Sequence, residues 1–444
     1  MLIKGQGISV GLRVVIIAAV CLALMIPASL ITGVIREREV TRNNALKEVS
    51  EKWGGSQTLA GPVLTVPFKS YVKDKDGNVI QQIQNAHFLP DELLIDGVMQ
   101  PEVRYRGLYQ VMLYGSKLHM AAKFSKPSEK DIPAARNDIL WDEAYIACGI
   151  SDLKGIKDKL SIHWNSEAIP ATPGIPDNDV VASGVSAKVN VRDAKSVYAF
   201  AMSLNLNGAQ ELNFVPVGKE NVVSMASKWS APGFQGSFLP EARTITKDGF
   251  TAQWKVLQLN RNYPQKWVGK SHSINPSAFG VNLVTPVDGY QKTMRTTKYA
   301  LMFIALTFAA FFAIELHNKK MIHPVQYFLV GLSLILFYSL LLSLSEHMSF
   351  HASYLIATCG TVALIGAYCR SLFASNVLAL TVAAMISVLY GFLYVLLQLE
   401  DYALLMGSIG LFGVLALFMY LTRNIDWYMP FQSKTSRTET EVRG

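Results

Sequence analysis

The chain has 444 residues, of which 50% are hydrophobic and 17% are charged. This length would allow about three soluble domains, but the apolar residues are concentrated near the N-terminus and in the last third. The net charge of +8 is spread along the chain without a basic stripe, so the sequence predicts no nucleic-acid partner. These features indicate a membrane protein.

The first apolar segment runs from Val14 to Ile35 without a charged residue. It is long enough to cross a hydrocarbon core about 30 Å thick. Lys4 and Arg13 precede it, but it exceeds the usual apolar region of a secretory signal and no clear cleavage site follows. We therefore predict an uncleaved anchor after a cytoplasmic N-terminus (1–13), in which Pro27 only bends the helix.

The last third of the chain contains five further apolar segments of spanning length. No ionisable residue lies at the middle of any of them, which favours packing of a five-helix bundle over a substrate path. A polar tail (423–444) follows. The predicted spans are Tyr299–Leu316, Pro324–Ser345, Ser353–Cys369, Asn376–Gln398 and Tyr402–Thr422.

The positively charged residues beside the apolar segments predict the orientation. With the N-terminus inside, the cytoplasmic stretches carry nine Lys and Arg residues, whereas the short external loops at 346–351 and 400–401 carry none. Lys and Arg near helix ends are retained in the cytoplasm. Six spans therefore place both termini inside and residues 36–298 outside.

The external segment has the pattern of a mainly-β, sandwich-like domain. Its apolar residues alternate with a period near two and lie between turn signals. It has one cysteine, Cys148, so an apolar core rather than an internal disulfide must hold it together, and we expect this thiol to be buried. We predict helices at Val40–Trp53 and Asp193–Phe200. The predicted strands lie at Val63–Val72, Val103–Phe124 with a turn at Tyr114–Ser116, Ala187–Val191, Ala201–Leu206 before Asn207-Gly208, and Phe250–Leu259.

A short internal echo supports strands joined by tight corners. Phe88–Asp91 precedes Asp96-Gly97, and Phe238–Glu241 precedes Asp248-Gly249. Proline belongs at a strand end and Asp-Gly in a hairpin turn. The echo is compatible with two related halves joined at the proline-rich segment Ile169–Asn178, and equally with chance similarity of turn chemistry.

The external segment offers no catalytic motif. It has no nucleophile elbow, phosphate-binding loop or zinc-protease helix. Its histidines at 87, 119, 163 and 272 are isolated in sequence, and for His119, in a strand-like run, we expect a structural role. Asp91 and Glu92 would point to opposite faces of a strand and diverge. We predict no catalytic residue, no cofactor and no metal centre.

Two weaker site hypotheses remain. His347 and His351, four residues apart and next to Glu346, would share a divalent metal if they lay on one helical face. Arg104 and Arg106 would point the same way on a strand and could form a partner-binding face. Glu315 and His317 are expected to form an interfacial cluster.

Several blocks of the chain resemble the CreD family of inner membrane proteins. The match covers most of the sequence and is most specific from Phe279 to Leu301. The other matching blocks are Leu59–Pro67, Arg104–Tyr109, Gly236–Glu241, His323–Tyr327 and Ser343–His347.

The resemblance implies a protein of the Gram-negative inner membrane with a role in cell envelope integrity. It also implies control by a two-component sensor system, a place in the stress response and, for the family, colicin tolerance. It implies no reaction and no catalytic residue. We expect a non-enzymatic factor whose periplasmic domain engages an envelope component or an unknown periplasmic or membrane protein, anchored in the lipid bilayer. An envelope-remodelling enzyme and, less favoured, a small-solute transporter remain alternatives.

Overall fold

The structure is a computed structural model that describes residues 10–73, 75–76, 78–192, 195–283, 289–318, 321–399 and 402–423. The chain divides into two compact units, Arg42–Pro286 and the two segments that flank it. The predicted loop residues 319–320 and 400–401 and most of the predicted tail lie outside the described residues.

Eight α-helices lie within the described residues. They include four stretches long and apolar enough to span a membrane, namely Gly11–Trp53, which runs through α1 and α2, and the helices α5, α6 and α7. A bent pair, α3 with α4, forms a fifth candidate. The last helix is apolar over the shorter range Leu405–Ala416. The helices are α1 Val10–Ala23, α2 Met25–Trp53, α3 Gly289–Lys298, α4 Ala300–Asn318, α5 Pro324–Ser345, α6 Phe350–Phe373, α7 Asn376–Gln398 and α8 Ala403–Thr422.

The helix at the predicted anchor extends well past the apolar segment. It is interrupted only at Leu24, between α1 and α2, and continues to Trp53. Pro27 has no N–H to donate to the carbonyl of Ala23, which accounts for the local break. The predicted helix at Val40–Trp53 is therefore confirmed as the polar continuation of the apolar one.

Aromatic side chains hold the flanking unit together. The rings of Phe337 and Tyr390 lie 4.5 Å apart between α5 and α7, and Phe308 packs edge-on against Tyr327 at 5.3 Å. Tyr354 donates a hydrogen bond to the carbonyl of Tyr390 at 2.7 Å. The helices thus form a packed core with few polar contacts.

The other unit is mainly β, as predicted. Its described residues form a nine-stranded sheet, sheet A, in the order β13-β17-β11-β1-β5-β9-β8, with β2 pairing β1 and β16. Sheet B has eight strands in the order β14-β15-β12-β3-β4-β10-β6-β7. The strands are β1 Gln57–Lys73, β2 Val79–Phe88, β3 Glu92–Arg106, β4 Tyr109–Ser125, β5 Tyr145–Ile150, β6 Ser161–Trp164, β7 Glu167–Pro170, β8 Thr172–Pro173, β9 Gly184–Lys188, β10 Val197–Ala209, β11 Glu211–Val215, β12 Glu220–Ser227, β13 Pro232–Gly236, β14 Ala242–Thr246, β15 Gly249–Leu257, β16 Lys266–Val268 and β17 Phe279–Leu283.

One apolar core lies between the two sheets, which makes the unit a sandwich. Along β10 the even-numbered residues from Tyr198 to Leu206 are buried, while Ser203 and its odd-numbered neighbours face away. This alternation places one side of every strand in the core. Phe214 and Phe279 of sheet A meet residues of sheet B such as Trp254 in the same cluster.

Two local predictions were wrong. The turn between β3 and β4 lies at Gly107-Leu108 and not at Tyr114–Ser116, because Tyr114 is fully buried in β4 and donates to the carbonyl of Glu211 at 2.6 Å. The helix predicted at 193–200 is instead the start of β10, from Val197, with Tyr198 and Phe200 in the core. Residues 193 and 194 lie outside the described part of the chain.

The internal echo does not mark two halves of the domain. Asp248-Gly249 does lie at the β14–β15 hairpin, but Asp96-Gly97 lies in the middle of β3. Each sheet contains strands from both sides of the proline-rich segment, so the two sequence halves interleave. That segment instead carries the chain from β7 in sheet B to β8 in sheet A.

Candidate functional site

The outer face of sheet B carries an open groove of about 680 Å³. Its lining comes from β3, β4, β10, β12, β14 and β15, mostly at positions that alternate with the core residues. The polar lining residues are Asp96, Lys117, His119, Ser203, Asn205, Ser224, Arg243, Thr244, Thr251 and Gln253.

Strand register brings these side chains into rows across the sheet. His119 pairs with Ser203 on one side and with Asp96 on the other, and Asp96 pairs with Ser224. Directly opposite residues have Cβ atoms about 4.5–5.5 Å apart, so each row forms a continuous polar strip. His119 Nδ1 lies 3.2 Å from Ser203 Oγ, and both side chains are exposed.

The groove carries charges of both signs, from Lys117, Arg243 and Asp96, among hydroxyl and amide groups. None of its lining residues is Phe, Tyr or Trp. The volume lies in the range of about 300–1,000 Å³ typical of ligand sites. Such a surface suits a polar segment held by hydrogen bonds better than a ring held by stacking.

A second polar cluster lies on sheet A. Register aligns Tyr145 on β5, Thr65 on β1, His87 on β2 and Trp267 on β16 in one row. The residues beside them in sequence, such as Val66 and Ala86, belong to the core, so Thr65, His87 and Tyr145 face away from it. His87 is nevertheless only 1% exposed.

The loop between β8 and β9 contributes two carboxylates to this cluster. His87 Nε2 lies 3.4 Å from Asp179 Oδ2, Tyr145 donates to Asp177, and the N–H of Asp179 donates to Asp177 Oδ1 at 2.9 Å. His87 Nδ1 lies 3.0 Å from Thr65 Oγ1. Burial lowers the pKa of His87 from its ordinary value, although the nearby carboxylates act in the opposite direction.

The structure does not bring the predicted histidine pair onto one helical face. α5 ends at Ser345, Glu346 and His347 lie in the turn, and α6 begins at Phe350. His351 instead pairs with the hydroxyl of Tyr394 at 2.7 Å. The premise of this candidate site, two histidines on one helical face, was therefore wrong. The described residues bring three potential metal ligands together only at His87, Asp177 and Asp179.

Arg104 and Arg106 do share one face of β3, and both contact the end of α2. The Arg104 guanidinium lies 3.9 Å from the ring centre of Trp53, and Arg106 pairs with Glu48 at 3.3 Å. Both arginines remain about half exposed. They form part of the contact between the helix and the sheet, so a partner would meet them together with α2.

Two further side chains were located as expected. Asp91 receives hydrogen bonds from Ser125 and pairs with Lys219, whereas Glu92 pairs with Lys123, so the adjacent carboxylates diverge. Cys148 is 2% exposed, and burial raises the pKa of its thiol to about 12. This thiol is a structural group.

Glu315, expected in an interfacial cluster with His317, has partners on two other helices. Glu315 is 1% exposed, pairs with Arg13 of α1 and accepts a hydrogen bond from the Tyr327 hydroxyl at 2.9 Å. The side chain of His317 lies outside the described part of the chain. The contact therefore ties α1, α4 and α5 together.

Sequence reasoning missed both polar clusters of the β unit. His119 was assigned a structural role because its strand-like run hides which face is solvated, yet alternation with Leu118 and Met120 already places it opposite the core. No local signal joins His87 to Asp179, which lies 92 residues away. The available indication was a carboxylate pair at the end of the proline-rich segment, with Asp177 inside it and Asp179 directly after it.

Comparison with known proteins agrees with the fold. The family described as "Inner membrane protein CreD" matches residues 9–428. The inner membrane protein CreD of Escherichia coli (strain K12) is 35% identical over 437 residues, which cover 95% of this chain and 96% of that protein. The chain therefore belongs to the CreD family of inner membrane proteins.

Proposed function

We propose that this protein is a non-enzymatic envelope factor whose β unit lies in the periplasm and binds a polar peptide segment of a partner protein in the groove of sheet B. The apolar helices anchor the unit in the inner membrane. Family membership supports a role associated with the envelope. On this proposal, loss of binding weakens the envelope integrity, stress response and colicin tolerance expected of the family.

The groove is the observation that carries this proposal. Hydroxyl and amide groups in two neighbouring rows provide donors and acceptors for an extended backbone, and Lys117 with Arg243 supplies positive charge for a carboxylate. Asp96 can accept from an amide or an ammonium group on the same segment. The preferred partner segment is therefore polar and carries at least one Asp, Glu or terminal carboxylate.

The periplasmic location rests on the positive residues that flank the apolar segments. A reporter enzyme that is active only beyond the inner membrane should be active when fused near residue 200. A silent fusion at that position, with an active fusion near residue 373, would reverse the proposed orientation. Both fusions must reach similar expression levels for the comparison.

Two lysines of β4 provide a matched test of the groove. Lys117 lines it, whereas Lys123 lies on the same face of the same strand, outside the groove, and pairs with Glu92. Full-length protein in lipid nanodiscs should bind carboxylate-bearing peptides from an envelope peptide library. K117A should weaken this binding about tenfold, since a charge-assisted contact is lost, while K123A should not.

A Ser224→Trp variant would fill the groove and should abolish binding of the same peptides. Equal affinity of S224W and the wild type would place the binding surface elsewhere. Selective binding of cell-wall muropeptides in place of protein-derived peptides would replace the proposed partner with the wall itself.

An enzyme is the second candidate, because Ser203, His119 and Asp96 occur side by side in one row. The arrangement departs from a working triad in two respects. The hydrogen bonds of the described residues include none between Asp96 and His119, and Ser203 lies in a regular strand rather than at a turn with free N–H donors for an oxyanion. Turnover of wall or lipid esters that S203A abolishes, while peptide binding persists, would establish the enzyme instead.

A further inference from the structure

The row Tyr145, Thr65, His87 faces away from the core of the sandwich, yet it is closed off by the loop between β8 and β9. Two carboxylates of this loop, Asp177 and Asp179, are partly buried over it. One ligand atom from each carboxylate and one nitrogen of His87 lie within 4.8 Å of one another. Among the described residues, neither carboxylate forms an ion pair with Lys or Arg.

Two carboxylates this close repel each other unless a positive charge lies between them. The hydrogen bonds around the cluster determine what His87 can contribute. Tyr145 donates its single hydroxyl proton to Asp177, and the hydroxyl of Thr65 also interacts with the oxygen of Tyr145. If Thr65 donates to Tyr145, its oxygen accepts the Nδ1–H of His87.

This arrangement leaves the Nε2 lone pair of a neutral His87 directed at Asp179, 3.4 Å away. A lone pair and a carboxylate oxygen facing each other require a cation between them. The spacing fits one, because two ligands of a tetrahedral zinc ion with bonds of about 2.0–2.1 Å are about 3.3–3.4 Å apart. A proton on Nε2 is the alternative occupant. With Nδ1–H donating to Thr65 it makes an imidazolium, which burial disfavours, whereas with Thr65 donating to Nδ1 it gives the neutral Nε2–H tautomer, and metal binding decides between the proton and the ion.

The surroundings match those of protein metal sites. The second nitrogen of a ligating histidine is usually held by a hydrogen bond, here with Thr65. Ligating carboxylates usually accept hydrogen bonds as well. Here Asn85 Nδ2 lies 3.5 Å from Asp179 Oδ2, and the N–H of Asp179 donates to Asp177 Oδ1. The ring of Trp267, 5.7 Å from that of His87, forms an apolar wall.

We propose that His87, Asp177 and Asp179 bind one divalent transition-metal ion, for which Zn²⁺ is the best chemical match. One imidazole and two carboxylates leave a fourth tetrahedral position for water. The ion joins the β8–β9 loop to sheet A. The inference is independent of the groove on sheet B.

The test uses full-length, tag-free protein in detergent, loaded with Zn²⁺ and dialysed against metal-free buffer. The wild type should retain one equivalent of zinc, measured by elemental analysis, while D177N and D179N should retain less than a tenth of that. D142N is the matched control, since Asp142 is an exposed carboxylate of the same unit that pairs with Arg192. It should bind zinc like the wild type, and so should H351A.

Two further variants separate ligand loss from misfolding. T65V keeps the shape of the side chain but removes the hydrogen bond that orients His87, and should weaken zinc binding about 10–100-fold. D179C replaces a carboxylate with a thiolate, and its Co²⁺ complex should show a sulfur-to-cobalt absorption band that the wild type lacks. Less than a tenth of an equivalent in the wild type, full binding by both Asn variants, or a D179C complex without that band would overturn the proposal.

Discussion

The pair formed by Arg13 and Glu315 gives a direct test of how the helical unit is held together. Arg13 is 11% exposed at its side chain and Glu315 is 2% exposed, and Tyr327 donates to the same carboxylate. In Glu315→Leu the guanidinium loses its carboxylate and Tyr327 loses its acceptor. Removing one partner of a buried ion pair costs about 3–5 kcal/mol.

Replacing both Arg13 and Glu315 should lower the free energy of unfolding far less than replacing one of them. Apolar pairs of similar volume are often neutral or stabilising relative to a buried ion pair, because no desolvated charge remains. R13L combined with E315L should therefore unfold within about 1 kcal/mol of the wild type. The coupling energy of the double-mutant cycle should then reach about 2 kcal/mol or more, which contacting residues commonly show.

The assay is unfolding of the full-length protein by SDS in mixed micelles, followed by the helical circular dichroism signal. Glu51→Gln is the control, because Glu51 pairs with Lys47 on an exposed helix face and such pairs contribute less than about 0.5 kcal/mol. If E315L unfolds at the same SDS fraction as E51Q, the buried pair does not stabilise the unit and the reasoning fails.

Three further predictions concern the β unit of the full-length protein, with chemical unfolding followed by the strand signal as the measurement. Trp254→Ala should destabilise by about 3–5 kcal/mol, since the ring is fully buried and its N–H donates to Phe238, and a loss below 1 kcal/mol would contradict the core assignment. Gly107→Val should lower the free energy of unfolding by about 1–2 kcal/mol, because φ is +60° at this residue. Gly107→Asn should lower it less, and equal losses for the two variants would rule out backbone strain as the cause. Burial acts to raise the pKa of Asp91, but contacts with Lys219 and Ser125 hold this pKa below its ordinary value. The ionised carboxylate therefore stabilises the folded protein above about pH 4, and this stabilisation is lost as the pH falls through the folded-state pKa. The difference in unfolding free energy between the wild type and D91N should shrink as the pH falls through that range. A difference that stays constant would refute the role of the ionised carboxylate.

The general architecture followed from patterns that are local in sequence. A run of about 20 apolar residues determines that a segment can span a membrane, and a period of two determines that a segment is a strand with one buried side. Val63–Val72 and most of Phe250–Leu259 were recognisable for this reason. The polar end of α2 was recognisable because Leu46 and Val49 share one face, which packs against Val111 and Leu113.

Turns and strand starts were less predictable because tertiary packing decides between competing local signals. Tyr114-Gly115-Ser116 has the composition of a turn, but the buried Tyr114 donates a hydrogen bond to the carbonyl of Glu211 in β11, and the segment continues as β4. Val197–Phe200 was assigned to a helix, but its apolar residues fill the core between the sheets and extend β10. In each case the deciding partner lies far along the chain.

The polar clusters show the same dependence on distant partners more strongly. Arg13 and Glu315 are 302 residues apart in sequence. Each by itself has the pattern of a charged residue at the end of an apolar segment, which does not indicate a buried pair. His87 alone reads as an isolated histidine on the solvated face of a strand. It is the Pro- and Gly-rich connection, carrying Asp177 and Asp179, that closes over this face and buries the imidazole.

That closure bears on what the cluster is for. Covering the outer face of a sheet with apolar side chains would bury the same strands without desolvating any charge, so apolar residues would have been the more stable choice for a purely structural loop. Here the loop places two carboxylates over a histidine and a tyrosine, where a cation removes the repulsion and links the loop to β2 through His87. If zinc loading leaves the β8–β9 loop as sensitive to proteolysis as in the metal-free protein, then the ion does not fasten the loop and the carboxylates must serve another ligand.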